Sequence, residues 1–351
     1  APPCFPSFLV VSFTALVFLS GSGVQSAHAS EDPIRVAALL DLSGHYSQFG
    51  LETKQAMELG LSETKKIDVR FFDTKGDLKT AEQKLNEVIQ QGGYTVVVTL
   101  ASWISNGLAA KIKSNHLLQM AVGSAVFDHA DQKNCVRFTG DVGREIQYLT
   151  NYLQSYNKVA VMYFNNDYGI SWNNALKSTL GSKLVKSIAY TDTDVDFTHP
   201  LNEVKAVHPD ALALISTREA VQIAKQASKI RIQSRMFGTR PTLTAPLLAE
   251  PTARGLMFSY PDLNETLPIF ASFKRKYGYR MSAFGAEGYD LIKSLDRFCR
   301  HGKKNKVLFA NYQNRTYDGA LGRITFNENA QADYDYTICV LQNGTWGKMK
   351  R

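Results

Sequence analysis

From Pro33 onward the chain alternates short apolar runs with amphipathic helical stretches, and the alternation restarts near residue 143. In the first block Ile34–Leu40, Ile67–Phe72, Tyr94–Leu100 and Leu117–Val122 have the length and composition of buried strands. Between them Ala81, Leu85, Val88 and Ile89 fall on one helical face, the spacing of a helix packed on a sheet. Strand–helix–strand order of this kind predicts βαβ units and a parallel sheet. In the second block Ile146, Leu149, Leu153 and Tyr156 form a helical stripe ahead of the strand Val159–Phe164. A helix over Ile170–Leu180, strands at Leu184–Tyr190, Ala211–Ile215 and Arg235–Phe237, and helices near Leu201 and over Ala220–Ala227 continue the pattern. The expected fold class is α/β, with two doubly wound parallel-sheet lobes.

The last quarter departs from a simple tandem pair. Phe270–Tyr277 and Gly285–Phe298 read as further helices, followed by antiparallel strands at Leu321–Phe326 and Tyr334–Leu341. With 351 residues the chain has material for about two domains. No long low-complexity linker separates the blocks, so short crossings and a hinge are expected.

Residues 1–29 contain no Asp, Glu, Lys or Arg, and the apolar run Phe8–Leu19 is shorter than the roughly 20 residues a membrane-spanning helix needs. Ala27-His28-Ala29 has the form a signal peptidase cleaves, so 1–29 is expected to be a cleavable signal peptide. Cys4 precedes the apolar run, which argues against lipid attachment there. The remaining Cys135, Cys299 and Cys339 allow at most one bridge, so packing rather than disulfides must hold the fold. The seven His are scattered and no Cys pair has metal-ligand spacing, so neither metal nor cofactor is expected. A net charge of +8, spread along the chain, does not make a nucleic-acid surface. There is no G-x-S-x-G elbow, P-loop or dinucleotide-binding glycine fingerprint, and no enzyme is expected.

In open parallel sheets ligands sit beyond the carboxyl ends of the strands. The first such loop is Asp41-Leu-Ser-Gly-His-Tyr-Ser-Gln-Phe-Gly50. With Asn166-Asp-Tyr-Gly169, Phe284-Gly-Ala-Glu-Gly-Tyr-Asp290 and Gly319-Ala-Leu-Gly-Arg-Ile-Thr-Phe-Asn-Glu-Asn329 in the same order, it resembles the type I periplasmic solute-binding proteins, the leucine/isoleucine/valine-binding group of ABC importers. The resemblance covers about residues 34–348. It implies two lobes joined by three crossings: lobe one from 30–140 plus 262–322, lobe two from 141–261 plus 323–351. Hinges are implied near Thr139–Asp141, Ser259–Asp262 and Gly322–Ile324. It further implies a monomeric periplasmic receptor that closes on a small molecule and delivers it to an inner-membrane ABC permease.

Carried over position by position, the resemblance puts Phe49 over the ligand and Ser102 or Trp103 where a hydroxyl residue grips a carboxylate. Ser124, Ala125 and Val126 occupy the carboxylate and amino-group loop, with Val126 in place of the usual threonine. Tyr168 matches a cleft tyrosine, and Thr217 stands where an aromatic residue is common. Arg240 replaces a carboxylate that pairs with the ligand's ammonium. A guanidinium repels an ammonium and offers a fork to a carboxylate, so an anionic or polar-aromatic ligand is expected, with Tyr46, Phe49, Trp103, Tyr168 and Phe284 as apolar walls. Other readings stay open: Arg240 as a solvated surface residue, Tyr46, Trp103 and Phe284 as packing aromatics, Ser102 and Ser124 as loop or cap residues. The sequons at Asn264, Asn314 and Asn343 read as chance matches, and the basic run His301–Lys306 as a solvated turn. An envelope regulatory or scaffold protein on the same fold is the alternative function.

Overall fold

A computed structural model describes residues 33–126, 133–191, 193–299 and 305–349, with positions 1 and 3. The signal-like stretch 1–29 apart from positions 1 and 3, Cys4 within it, and most of the basic run 301–306 lie outside the described residues.

Periodicity of two and of 3.6 alternate as the sequence dictates. The first block folds as β1 (Ile34–Leu40), α1 (Ser47–Leu61), β2 (Ile67–Asp73), α2 (Leu78–Gln91), β3 (Val96–Leu100), α3 (Ser102–Ser114), β4 (Leu118–Val122) and β5 (Cys135–Arg137). These strands form one parallel sheet in the order β2-β1-β3-β4-β5. The second block gives α4 (Val142–Leu153), β6 (Val159–Phe164), α5 (Asp167–Leu180), β7 (Leu184–Tyr190), α6 (Thr198–Ala206), β8 (Ala211–Ile215), α7 (Ala220–Lys229), β9 (Arg235–Gly238), α8 (Ala245–Leu248) and β10 (Met257–Pro261). Its parallel strands run β10-β9-β8-β6-β7, the same winding as the first sheet, so the two lobes share one topology. Every residue of β3, β4, β8 and β10 is buried, as expected of strands covered by helices on both faces.

The likeness of the lobes reaches single residues. Gly50 lies against the end of β1 and Gly169 against the end of β6. A Cβ would sit 1.8 Å from the Asp41 carbonyl oxygen at the first and 1.9 Å from that of Phe164 at the second. Each glycine lets the helix after the lobe's first strand start directly on that strand's end, which brings the helix N-terminal turn to the cleft.

The tail then visits both lobes. α9 (Pro268–Tyr277) and α10 (Ala283–Phe298) return to the first, where α10 lies along α1 and Thr53 Oγ1 donates to the carbonyls of Phe49 (2.9 Å) and Phe284 (3.3 Å). After α11 (Asn305–Ala310), the strands β11 (Thr316–Gly319), β12 (Gly322–Phe326) and β13 (Ala332–Asp333) make a small antiparallel sheet bridged to β5 by Arg137 and Gln331. β14 (Tyr336–Gln342) extends the second sheet antiparallel to β10, and β15 (Thr345–Lys348) pairs antiparallel with β14 at its edge.

The chain therefore passes between lobes after β5, after β10 and after β13. The third passage falls at Tyr334–Asp335, not at Gly322–Ile324, because β12 stays paired with β11 and β13 and its Phe326 packs edge-on against Phe138 at 5.3 Å. The passages touch one another: Gly140 N donates to the Tyr334 hydroxyl at 2.8 Å, and Asp262 N to the Asp335 carbonyl at 2.8 Å. Cys135, Cys299 and Cys339 are buried and unbridged. No described helix is long and apolar enough to cross a membrane.

Candidate ligand site between the lobes

A cavity opens where the carboxyl ends of the two parallel sheets face each other. The first lobe lines it with Asp41 and Tyr46 after β1, Gly76 after β2, Ala101–Ile104 after β3, Gly123 and Ala125 after β4, and Phe284 from α10. The second lobe adds Asn166 and Tyr168 after β6, Thr217 after β8, and Arg240 and Pro241 after β9. Its volume of about 70 Å³ is several times the roughly 15 Å³ one water needs, so the void holds more than one water.

The aromatic wall is fixed by neighbouring contacts. Asp41 folds its loop by accepting from Gly44 N (2.6 Å) and Tyr46 N (2.8 Å), which sets the Tyr46 ring 5.2 Å from that of Trp103. Trp103 is held in turn by its indole N–H donating to the Gly76 carbonyl at 3.2 Å. Phe49 and Phe284 stack with ring centroids 4.4 Å apart. At the mouth His45 Nε2 lies 3.3 Å from Glu219 Oε1, a contact between the lobes.

Two features of the lining carry positive charge or positive partial charge. α3 follows Ala101, which gives it no side-chain cap, and has no acidic residue in its first turn, so its early N–H groups are unclaimed by a cap in a turn that lines the cavity. Ala101 itself has φ 79° and ψ 148°, a conformation that favours glycine. The second feature is Arg240, only 3% exposed, whose Cζ sits 4.8 Å over the Phe284 ring. Its Nη1 is ion-paired with Glu287 of α10, while its buried Nε has no partner.

Glu287 is itself held in place, accepting from Gly123 N at 2.6 Å and Thr139 Oγ1 at 3.1 Å. A second carboxylate, Glu145 of α4, accepts from Arg240 N at 3.3 Å and Ser259 Oγ at 2.9 Å. Burial raises the pKa of Glu145, against the pull of Arg240 and the Ser259 hydrogen bond. The Tyr168 hydroxyl, close to Glu145, Thr239 and Arg240, is kept protonated by burial.

Of the residues expected to meet a ligand, Tyr46, Phe49, Ser102, Trp103, Ala125, Tyr168, Thr217, Arg240 and Phe284 line the cavity. Arg240 is buried rather than solvated, and Trp103 both packs and lines. Ser124 and Val126 do not line the cavity. Gly123 turns the chain with φ 58°, Ser124 is turned inward, where its N–H donates to Thr139 Oγ1 at 2.8 Å, and the N–H of Val126 donates to Ser102 Oγ at 3.3 Å. Thr217 Oγ1 donates to Glu219 at 2.6 Å and so braces the mouth. Sequence reasoning missed Asp41, Asn166 and Glu287. The signal for Glu287 was present: an acid inside the apolar stretch Ala283–Leu291.

The chain matches the family model described as periplasmic binding protein over residues 33–345. Among solved structures, an extracellular ligand binding receptor from Desulfohalobium retbaense DSM5692 is 31% identical with a TM-score of 0.86; the match covers 91% of this chain and 60% of that one. This chain thus spans about three fifths of that receptor's length. A branched-chain amino acid transporter substrate binding protein from Streptococcus pneumoniae, in complex with isoleucine, is 17% identical (TM-score 0.84; 90% of this chain, 98% of that one). A solute binding protein of an ABC transporter from R. palustris, in complex with benzoate, is also 17% identical (TM-score 0.83; 90% and 95%). At that identity the last two show likeness of fold. No curated protein matches. With two equally wound lobes around a cleft and a family match over nearly all of the described chain, this protein belongs to the periplasmic binding protein family.

Proposed function

We propose that this chain is an exported receptor that captures a small aromatic carboxylate between its lobes and delivers it to an ABC permease. The observation that carries the reading is Arg240: a buried guanidinium at the wall of an aromatic cavity, with one N–H group unmatched. An unpaired buried donor is costly unless a ligand completes it, and a carboxylate is the acceptor a guanidinium fork fits best. The uncapped start of α3 adds positive potential from the other lobe. Phe49, Trp103 and Phe284 offer faces to a ring. A zwitterionic amino acid fits less well, since Arg240 opposes its ammonium group. The benzoate bound by the R. palustris neighbour shows that a fold of this kind accommodates such an acid.

A ligand touching both lobes favours the closed arrangement by its differential affinity, which is the signal a permease reads. Export is supported by the charge-free apolar stretch and the Ala27-His28-Ala29 site. The test is calorimetry with benzoate, 4-hydroxybenzoate, benzamide and isoleucine. Saturable binding of the two acids and none of the neutral amide is expected; binding of isoleucine or benzamide in preference to benzoate overturns the reading.

A further inference from the structure

We propose that Glu287 determines how many carboxylates a ligand can carry: by occupying the Nη1 corner of Arg240 it fixes the guanidinium over Phe284 and leaves room for one carboxylate only. The inference rests on the aromatic-acid reading above and adds a selectivity to it.

Glu287 acts on the ligand through Arg240 and is a positioning residue. One of its oxygens meets Arg240 Nη1; the other takes Gly123 N at 2.6 Å and Thr139 Oγ1 at 3.1 Å. Three donors from three chain segments hold a fully buried side chain, so it does not swing aside when a ligand arrives. The guanidinium plane is set on its other side by the Phe284 ring, 4.8 Å from Cζ. Of the five N–H donors of an arginine, the Nη1 side is thereby committed, and Nε is buried without a partner.

Charge points the same way. Two carboxylates, Glu287 and Glu145, already flank this single buried cation, and Glu145 is bonded to the backbone of Arg240 itself. The remaining lining near Phe284 is apolar, with Phe49, Leu100 and Ile104. A first ligand carboxylate meets the guanidinium where Arg240 lines the cavity. A second would enter a cavity whose lining, among the described residues, holds one cation already shared three ways, and like charges in a low-dielectric site repel strongly.

The probes are benzoate and benzene-1,3-dicarboxylate, titrated calorimetrically against the intact protein and two variants. The wild type is expected to bind benzoate at least 100-fold more tightly than the dicarboxylate. Glu287→Gln keeps the shape and an acceptor for Gly123 and Thr139 but removes the charge, and is expected to shift this ratio at least tenfold toward the dicarboxylate. Thr139→Val, which removes one donor holding Glu287, is expected to shift it about threefold in the same direction and serves if Glu287→Gln does not fold. A residue that merely supported the fold would weaken both acids alike and leave the ratio unmoved. An unmoved ratio, or a wild type that binds both acids equally, overturns the selectivity and leaves the aromatic-acid reading standing. Absence of benzoate binding by the wild type removes both.

Discussion

Arg240 and Glu287 stand 47 residues apart in sequence and form a buried ion pair that joins the second lobe to the first. Each depends on the other, because either charge alone would be stranded away from water.

Arg240→Met is therefore expected to lower stability by about 3–5 kcal/mol, the usual cost of leaving one member of a buried pair uncompensated. Combining it with Glu287→Leu should recover most of that loss, since an apolar pair of similar volume removes the stranded charge. Neither variant should bind benzoate. Urea unfolding checks the first statement and calorimetry the second; a double variant as unstable as the single one would show that the pair's charges are not the cause.

Ala101 opens α3 at φ 79° and ψ 148° beside the cavity. That region suits glycine, and a non-glycine residue there costs on the order of 1–3 kcal/mol. Ala101→Gly should raise stability by about 1 kcal/mol after its greater freedom in the unfolded chain is subtracted. A shift of the urea midpoint to lower concentration would mean that the strain is not present.

Two buried carboxyls give the protein a distinctive pH response. Burial raises Glu52 from 4.5 to about 7 and Asp290 from 3.8 to about 7, although the first accepts from Ser282 N and the second from Ala320 and Leu321 N. Between the unfolded and folded values the native state binds more protons than the unfolded chain. These groups therefore contribute stability that is fully present below about pH 4 and is lost as pH rises through 7, with a slope approaching about 1.4 kcal/mol per pH unit for each group. Glu52→Gln should flatten the fall between pH 5 and 7 by about one such group. Denaturant titrations across that window measure it, and equal slopes in both proteins would contradict the assignment.

The fold was legible where burial imposes a clean period. The core strands β6 and β8 are continuous apolar runs, β1 is apolar apart from Arg35, and α2 carries Ala81, Leu85 and Val88 on one face. Shorter elements were hidden because partners rather than composition make them strands. β5 is the three residues Cys135–Arg137, including a charge buried by donating to the Ala125 carbonyl at 2.8 Å. β10 ends in proline, and is held between β9 and β14. In the site, the loops after each strand located the aromatic residues, since topology alone puts those loops at the cleft. What sequence could not convey was which polar groups meet across it: Arg240 stood out by its charge, but its partner Glu287 lies on a helix that comes back from the far end of the chain.

The most direct test of the account is the distance between the lobes in solution. Leu51 on α1 and Ile170 on α5 are both exposed, at 40% and 41%, while Cys135, Cys299 and Cys339 are buried. Spin labels at Leu51→Cys and Ile170→Cys report this distance by pulsed electron resonance. Saturating benzoate should collapse a broad distribution onto its short edge, and benzamide should leave it broad. A distribution that benzoate does not change would contradict capture by closure of the two lobes.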